Sequence, residues 1–211
     1  MRRTLWRGGV RVDFYMCFRG LAVIVAAVGL LVSGPAQAAE SFEEEVLAVI
    51  NYARTQPKAF ARNLRDADPE LATWVGDELG ARDEAIAFLM NQPPLPPLRW
   101  DDRLGAAARG HADAQGASGQ VGHHGPQGDT FPQRLQRVGF YAGLTAEGIS
   151  YGQMSAEDVV RQLIVDSGVP NRGHRRDIFG RNYQAAGVGC GDHRRYGALC
   201  VIEYAGAIVV R

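Results

Sequence analysis

Apolar positions recur at helical spacing through the first two thirds of the chain and give way to β-branched runs near its end. Ser41-Phe-Glu-Glu44 reads as a capping box, with Ser41 as N-cap and Glu44 three positions on. Behind it Val46, Leu47, Ile50 and Ala53 share one face, which predicts an amphipathic helix to about Thr55. Pro57 ends that helix or opens the next, KAFARNL. Residues 66–82 are polar and broken by Pro69, Gly76 and Gly80, so they read as an insertion. A short helix beginning at Asp83 is expected to place Ile86, Phe88, Leu89 and Met90 in the core. PPLPPL, Pro93 to Leu98, cannot be helical and reads as a stiff connector rather than a peptide ligand.

Asp101 or Asp102 caps a predicted helix from about Arg103 to Ser118, rich in alanine for close packing, with His111 expected as a buried structural histidine. Gly119 to Asp129 is loop, and Phe131 to Val138 is a short helix closed by Gly139. Gly143 to Gly152 is half extended. Ser155 caps a helix over Val159–Asp166. The closing segments, 185–191 and 198–210, read as strands around a polar tip that carries His193, expected in solvent with Arg194 and Arg195. The glycines of GVGCG do not form a dinucleotide loop, because no helix follows them. Helices first and strands late predict one α+β domain, an α-β-α sandwich.

The N-terminus changes the picture of compartment. Five arginines and one acid fall in residues 1–39, all ahead of an apolar run, Leu21 to Gly34. Ala36-Gln37-Ala38 supplies small residues for a signal-peptidase cut. The run is shorter than the roughly 20 residues that span a bilayer. Residues 1–38 are therefore expected to be a signal peptide, with translation starting at Met1 or Met16, and 39–211 a single exported domain, periplasmic or secreted. Without the leader the balanced chain gains a surplus of four acids, and no basic stripe with interleaved aromatics survives, which argues against nucleic acid as a partner. Cys17 leaves with the leader. Cys190 and Cys200 remain as an even pair flanking the hairpin tip, where a disulfide is expected. A metal-binding pair is the alternative, and it lacks the close C-x-x-C spacing.

Four glycine-rich stretches carry titratable side chains: Gly122-His123-His124-Gly125, Ala146-Glu147-Gly148, Asp166-Ser167-Gly168 and Gly173-His174-Arg175. Asp166 ends the long helix, and His174 follows eight residues later across Gly168, Pro170 and Gly173, a spacing suited to a folded-back loop. Taken singly, Asp166 reads equally as a turn cap and His174 as a satisfied loop histidine. Arg172, Arg175 and Arg176 are expected to face solvent. Two imidazoles and two carboxylates match, by residue type, either a divalent-cation site or an acid–base site.

The chain from about Val46 to Ala205 resembles the CAP superfamily (cysteine-rich secretory, antigen 5 and pathogenesis-related proteins) in its bacterial exported branch. The resemblance rests on VINYAR, PLRWDDRLGAAARGHA, GHHGPQGDTFPQRLQRVGF, AEGI, VVRQLIVDSGVPNRGHRRDIF and the closing GVGCG…CVIEYAG, in one order. It implies a three-layer α-β-α sandwich with a cleft lined by His123, Glu147, Asp166 and His174. His124 takes the variable position of the first motif, and Gly148 stands where the family has Asn. The resemblance further implies that His123 and His174 hold a divalent cation, zinc or another, and that the cleft takes a small apolar or envelope-derived ligand. Two histidines would leave coordination positions open. Three functions follow. The first is a non-catalytic binding module. The second is a hydrolase in which Glu147 or Asp166 acts as base on water bound to a cation held by His123 and His174. The third is an interaction module in which the four residues only hold loops together. No serine or cysteine nucleophile has an activating context.

Overall fold

The structure is a computed structural model that describes residues 41–67 and 80–206. The expected signal peptide at 1–38, most of the expected insertion at 66–82 and the last residues of the expected closing strand lie outside them.

The capping box forms as the sequence predicts: Ser41 accepts from the Glu44 backbone, and the Glu44 side chain accepts from Ser41 N at 2.8 Å. It opens α1 (Phe42–Thr55), whose Val46, Leu47, Ile50 and Ala53 are buried. Pro57 starts α2 (Pro57–Asp66), and α3 (Ala81–Asn91) begins two residues before the expected Asp83. In α3 only Leu89 of the four expected core residues is fully buried, while Met90 is 38% exposed. The proline connector leads into a two-residue strand, β1 (Arg99–Trp100), that the sequence pattern did not reveal. Asp101 then caps α4 (Asp102–Ser118) by accepting from Arg103 N and Leu104 N. After α4 come α5 (Phe131–Arg137), β2 (Thr145–Tyr151), α6 (Ala156–Val165), a 3-10 turn at Pro170–Arg172, α7 (Gly173–Ile178), β3 (Ala185–His193) and β4 (Gly197–Ala205).

The strands form one mixed sheet in the order β1-β3-β4-β2. β1 runs parallel to β3, and both β3–β4 and β4–β2 are antiparallel. Side chains alternate across the sheet. One face, with Ala186, Val188, Cys190, Cys200, Ile202 and Tyr204, shares a core with α1, α2, α3, α6 and α7. The opposite face packs on α4 and α5 through Leu104, Ala107, Ala108, Ala112 and Leu135. This is the three-layer α-β-α sandwich. α4 lies so close to β3 that Gly187 and Gly189 are required there. A β-carbon at Gly187 would fall 2.0 Å from Gly105 N, and one at Gly189 would fall 2.2 Å from Arg109 N. Cys190 and Cys200 stand opposite each other in the β3–β4 register and are disulfide-bonded.

Several charged residues behave differently from their sequence context. Arg54 is fully buried at the end of α1 and donates to Pro96 O, Ile178 O and Gly180 O, joining three segments distant in sequence. Arg175, expected in solvent, is 3% exposed; it donates to Ile164 O and Val165 O and pairs with Glu84 at 2.8 Å. Arg172 pairs with Glu84 at 2.7 Å and donates to Asp166 O, whereas Arg176 is exposed as expected. His193, also expected in solvent, is buried: Nε2 faces Gln120 O at 2.9 Å and Nδ1 accepts from Arg195 N and Tyr196 N. Each finds backbone partners that only the folded topology supplies.

Candidate functional site

The first histidine sits in a loop anchored at both ends. Gly122, at φ +96°, is held through its carbonyl by His111 and Gln115, and its N–H donates to the Tyr151 hydroxyl at 2.9 Å. His111 is buried, as its alanine-rich helix led us to expect, and burial holds its pKa below the usual histidine range. One residue on, the His123 carbonyl accepts from Arg134 at 3.0 Å. Arg134 projects from α5, where the Thr130–Gln133 capping box fixes the helix start, and its other terminal nitrogen donates to Glu147 Oε2. The remaining oxygen, Glu147 Oε1, lies 2.8 Å from His123 Nδ1. The Glu147 side chain is 1% exposed while the His123 side chain is 54% exposed, so a buried carboxylate holds an imidazole that reaches solvent. The hydrogen bond to Glu147, reinforced by its charge, raises the His123 pKa against the opposing effect of burial.

The second pair is made by the loop after α6. Asp166 caps α6 in the left-handed conformation, φ 55°, and Asn171 and Arg172 also have positive φ, so every positive-φ non-glycine residue described lies in this one loop. Asp and Asn tolerate that region better than most residues. The fold-back turns the Asp166 carboxylate onto the start of α7: Oδ2 accepts from His174 N at 2.9 Å and Oδ1 lies 2.7 Å from His174 Nδ1. Asp166 is 2% exposed by side chain and His174 22%, again a buried acid behind a more accessible ring. α6 is tied to the end of β2 by Gln162, which accepts from Ser150 Oγ and Tyr151 N and donates to Tyr151 O.

The two pairs meet at consecutive residues of β2, the edge strand. Glu147 points to the α4 face and holds His123. Gly148 points to the opposite face, where a β-carbon would lie 3.6 Å from His174 Cδ2 and 3.8 Å from the Tyr204 ring. His124 is exposed and belongs to neither pair. Beside the first pair, a cavity of about 650 Å³ opens between α4 and the 125–138 segment, lined by Ala106, Gly110, His111, Ala114, Arg134 and Val138 among others. Arg134 is common to both.

Three residues at the site were not singled out from sequence. Arg134 clamps Glu147. Asp177, three residues past His174, is half-buried, and its pKa is raised chiefly by burial. Glu203 lies opposite Glu147 in the β2–β4 register, fully buried, with neither oxygen hydrogen-bonded among the described residues; burial and the Glu147 charge push its pKa up to about 9.

Among the described residues no group of three or more His, Cys, Asp or Glu is placed to hold a metal ion. What the pairs offer is narrower. In both rings Nδ1 faces a carboxylate, which orients the imidazole and leaves Nε2 as the nitrogen for a ligand or cation. A cation bound by two such nitrogens would keep most of its coordination shell for water or ligand. No helix among the described residues is long and apolar enough to cross a membrane.

The sequence profile of the cysteine-rich secretory protein (CAP) family matches residues 47–204. Among solved structures, the chain is similar to an extracellular protein containing an SCP domain from Bacillus anthracis, with 22% identity and a TM-score of 0.47. That match covers 54% of this chain and 35% of the other, so this chain spans about a third of that protein's length. An outer surface protein from Borrelia burgdorferi matches at 17% identity over 67% of this chain and 95% of its own, with a TM-score of 0.43. A cysteine-rich secretory protein from Staphylococcus aureus matches at 12% identity over 67% and 40%, with a TM-score of 0.41. No curated protein matches.

Proposed function

The chain belongs to the cysteine-rich secretory protein (CAP) family, and from that premise we propose that it is an exported, non-catalytic binding module. Its cleft, built from His123, Glu147, Asp166 and His174, takes a small ligand of apolar or envelope origin together with a divalent cation such as zinc. The observation that carries this reading is the repeated pair: a buried carboxylate on Nδ1 of each imidazole, on either side of Glu147-Gly148. Fixing Nδ1 in this way orients a ring whose Nε2 then serves as donor. The cavity beside the first pair, which shares Arg134 with it, is walled by alanines of α4 and Val138 together with Asp129, Arg134 and Arg137, and is of the size a small ligand fills. Export is supported by the signal-like N-terminus and by the Cys190–Cys200 disulfide, a bond suited to an oxidising compartment.

The test is metal analysis of natively purified protein with a zinc titration followed by thermal unfolding. Zinc is expected to raise the unfolding midpoint progressively in the wild type and to leave the His123→Ala/His174→Ala variant unmoved. Equal behaviour of the two proteins would exclude the cation, and native mass spectrometry showing an empty cleft after exposure to envelope extracts would exclude the ligand.

A further inference from the structure

The histidine of the β3–β4 tip is buried, and both of its ring nitrogens hold the tip in place. We infer that Arg194, Arg195 and Tyr196, with Val121 beside them, form a docking surface for the anionic lipid surface of the envelope. This surface is separate from the imidazole–carboxylate pairs and stands whether or not the cleft takes a cation.

The tip is fixed from beneath. His193 Nδ1 accepts from Arg195 N and Tyr196 N, each at 3.2 Å, which leaves Nε2 to donate to Gln120 O at 2.9 Å. The His193 ring packs with Tyr151 and Tyr196 at centroid distances of 5.4 and 5.3 Å. Arg194 N donates to Gly116 O of α4 at 3.1 Å, and the Arg194 stem lies against Gly119. All three tip residues are thus bonded through their backbone N–H groups before anything docks. Little backbone freedom is left to lose on binding.

This frame presents a surface both basic and apolar. Arg194 and Arg195 are exposed, and neither is in an ion pair among the described residues. Tyr196 is 42% exposed, with the Arg195 guanidinium over its ring at 5.1 Å. Val121, 50% exposed, sits between Gln120, whose carbonyl takes the His193 bond, and Gly122, whose N–H donates to the Tyr151 hydroxyl. The adjacent acids are placed apart from it: Asp192 lines a hollow on the disulfide face with Phe42 and Glu43, and Asp113 lies beside Gly191. Arginines attract lipid phosphate, and an exposed tyrosine and an aliphatic side chain suit the boundary between headgroups and acyl chains. A soluble polyanion would use the arginines alone, so Tyr196 and Val121 favour a bilayer. Once the leader is removed the chain has a surplus of four acids, so an anionic surface repels most of the molecule and admits this end. His123 follows Val121 by two residues in the same loop, so docking brings the first imidazole–carboxylate pair toward the envelope.

Co-sedimentation of the purified protein with phosphatidylglycerol vesicles, against phosphatidylcholine vesicles as the uncharged control, measures the docking. The wild type is expected to bind the first and not the second, and to be released by salt. Arg194→Gln/Arg195→Gln is expected to bind about 30-fold more weakly, at the usual contribution of a basic residue near an anionic bilayer. Tyr196→Ser is expected to bind several-fold more weakly. Arg62→Gln/Arg65→Gln, at exposed positions of α2, is expected to bind as the wild type does. A wild type that ignores phosphatidylglycerol overturns the inference, as does a tip variant that binds undiminished or an α2 variant that loses as much. Tyr196→Ser binding at full strength, with polyphosphate displacing the vesicles, overturns the bilayer in favour of a soluble polyanion.

Discussion

Replacing Glu203 by Gln probes the charge balance beneath the site. Glu203 is fully buried opposite Glu147, with no hydrogen-bond partner for either oxygen among the described residues. Burial moves its pKa from the ordinary 4.5 up to about 9; the Glu147 charge adds to the rise, and Arg134 opposes it. The folded protein therefore keeps a proton that the unfolded chain releases above about pH 4.5. Stability from that proton is fully present below pH 4.5 and is lost as pH rises through about 9. At about 1.4 kcal/mol per pH unit the whole interval corresponds to about 6 kcal/mol, of which about 3 is lost between pH 7 and 9. Gln has the same shape and stays neutral, although its amide is as poorly satisfied there as the carboxyl it replaces. The two proteins should thus agree within about 1 kcal/mol at pH 5 and diverge in favour of the variant by several kcal/mol at pH 9. Urea unfolding at pH 5, 7 and 9 under non-oxidising, non-reducing conditions measures the difference directly, and groups common to both proteins cancel. A difference that stays flat over that range would refute the buried-proton account and imply a water or ion already satisfying Glu203.

Two further substitutions test the framework that holds the site. Arg134→Gln leaves Glu147 buried without its cation and frees the His123 carbonyl; it should cost about 3–5 kcal/mol in chemical unfolding, and a cost below about 1 kcal/mol would mean that Glu147 draws its compensation elsewhere. Gly189→Ala forces α4 off β3, because the new methyl would fall 2.2 Å from Arg109 N. Overpacking of this kind costs about 1–3 kcal/mol or more, and a midpoint equal to wild type would show that α4 and β3 are not in close contact.

Most of the architecture was legible because the signals were local. The capping box at Ser41, the Asp101 cap of α4 and the stop at Asp166 each need only neighbouring residues, and each forms as written. The pairing of His174 with Asp166 was also within reach, eight residues apart across a glycine- and proline-rich turn. Resemblance placed His123 and Glu147 along one cleft but not as a hydrogen-bonded pair, since nothing local specifies that contact. Buried charge was the part least readable. Arg54 looks like an ordinary basic residue at a helix end, and its partner carbonyl at Ile178 lies 124 residues away. Glu203 sits in ALCVIEYAG, where alternation suggests one solvated face; the sandwich covers both faces, so the acid is enclosed. Asp177 was recoverable from the three-residue spacing after His174, but its orientation depends on Tyr183 and the tyrosine of β4.

β2 lies at the edge of the sheet, and the two imidazole–carboxylate pairs meet it at consecutive residues on opposite faces. In an interior strand both neighbours would be occupied by backbone, and side chains 147 and 148 would face separate, closed layers. The absence of a side chain at 148 matters as well. A methyl there would lie in ordinary contact with the His174 and Tyr204 rings, at 3.6 and 3.8 Å, so a larger side chain would compete with them for that space. Glycine keeps that ring available, while the neighbouring glutamate keeps His123 in place. Two adjacent residues with opposite side-chain demands thus stand between the two imidazole–carboxylate pairs.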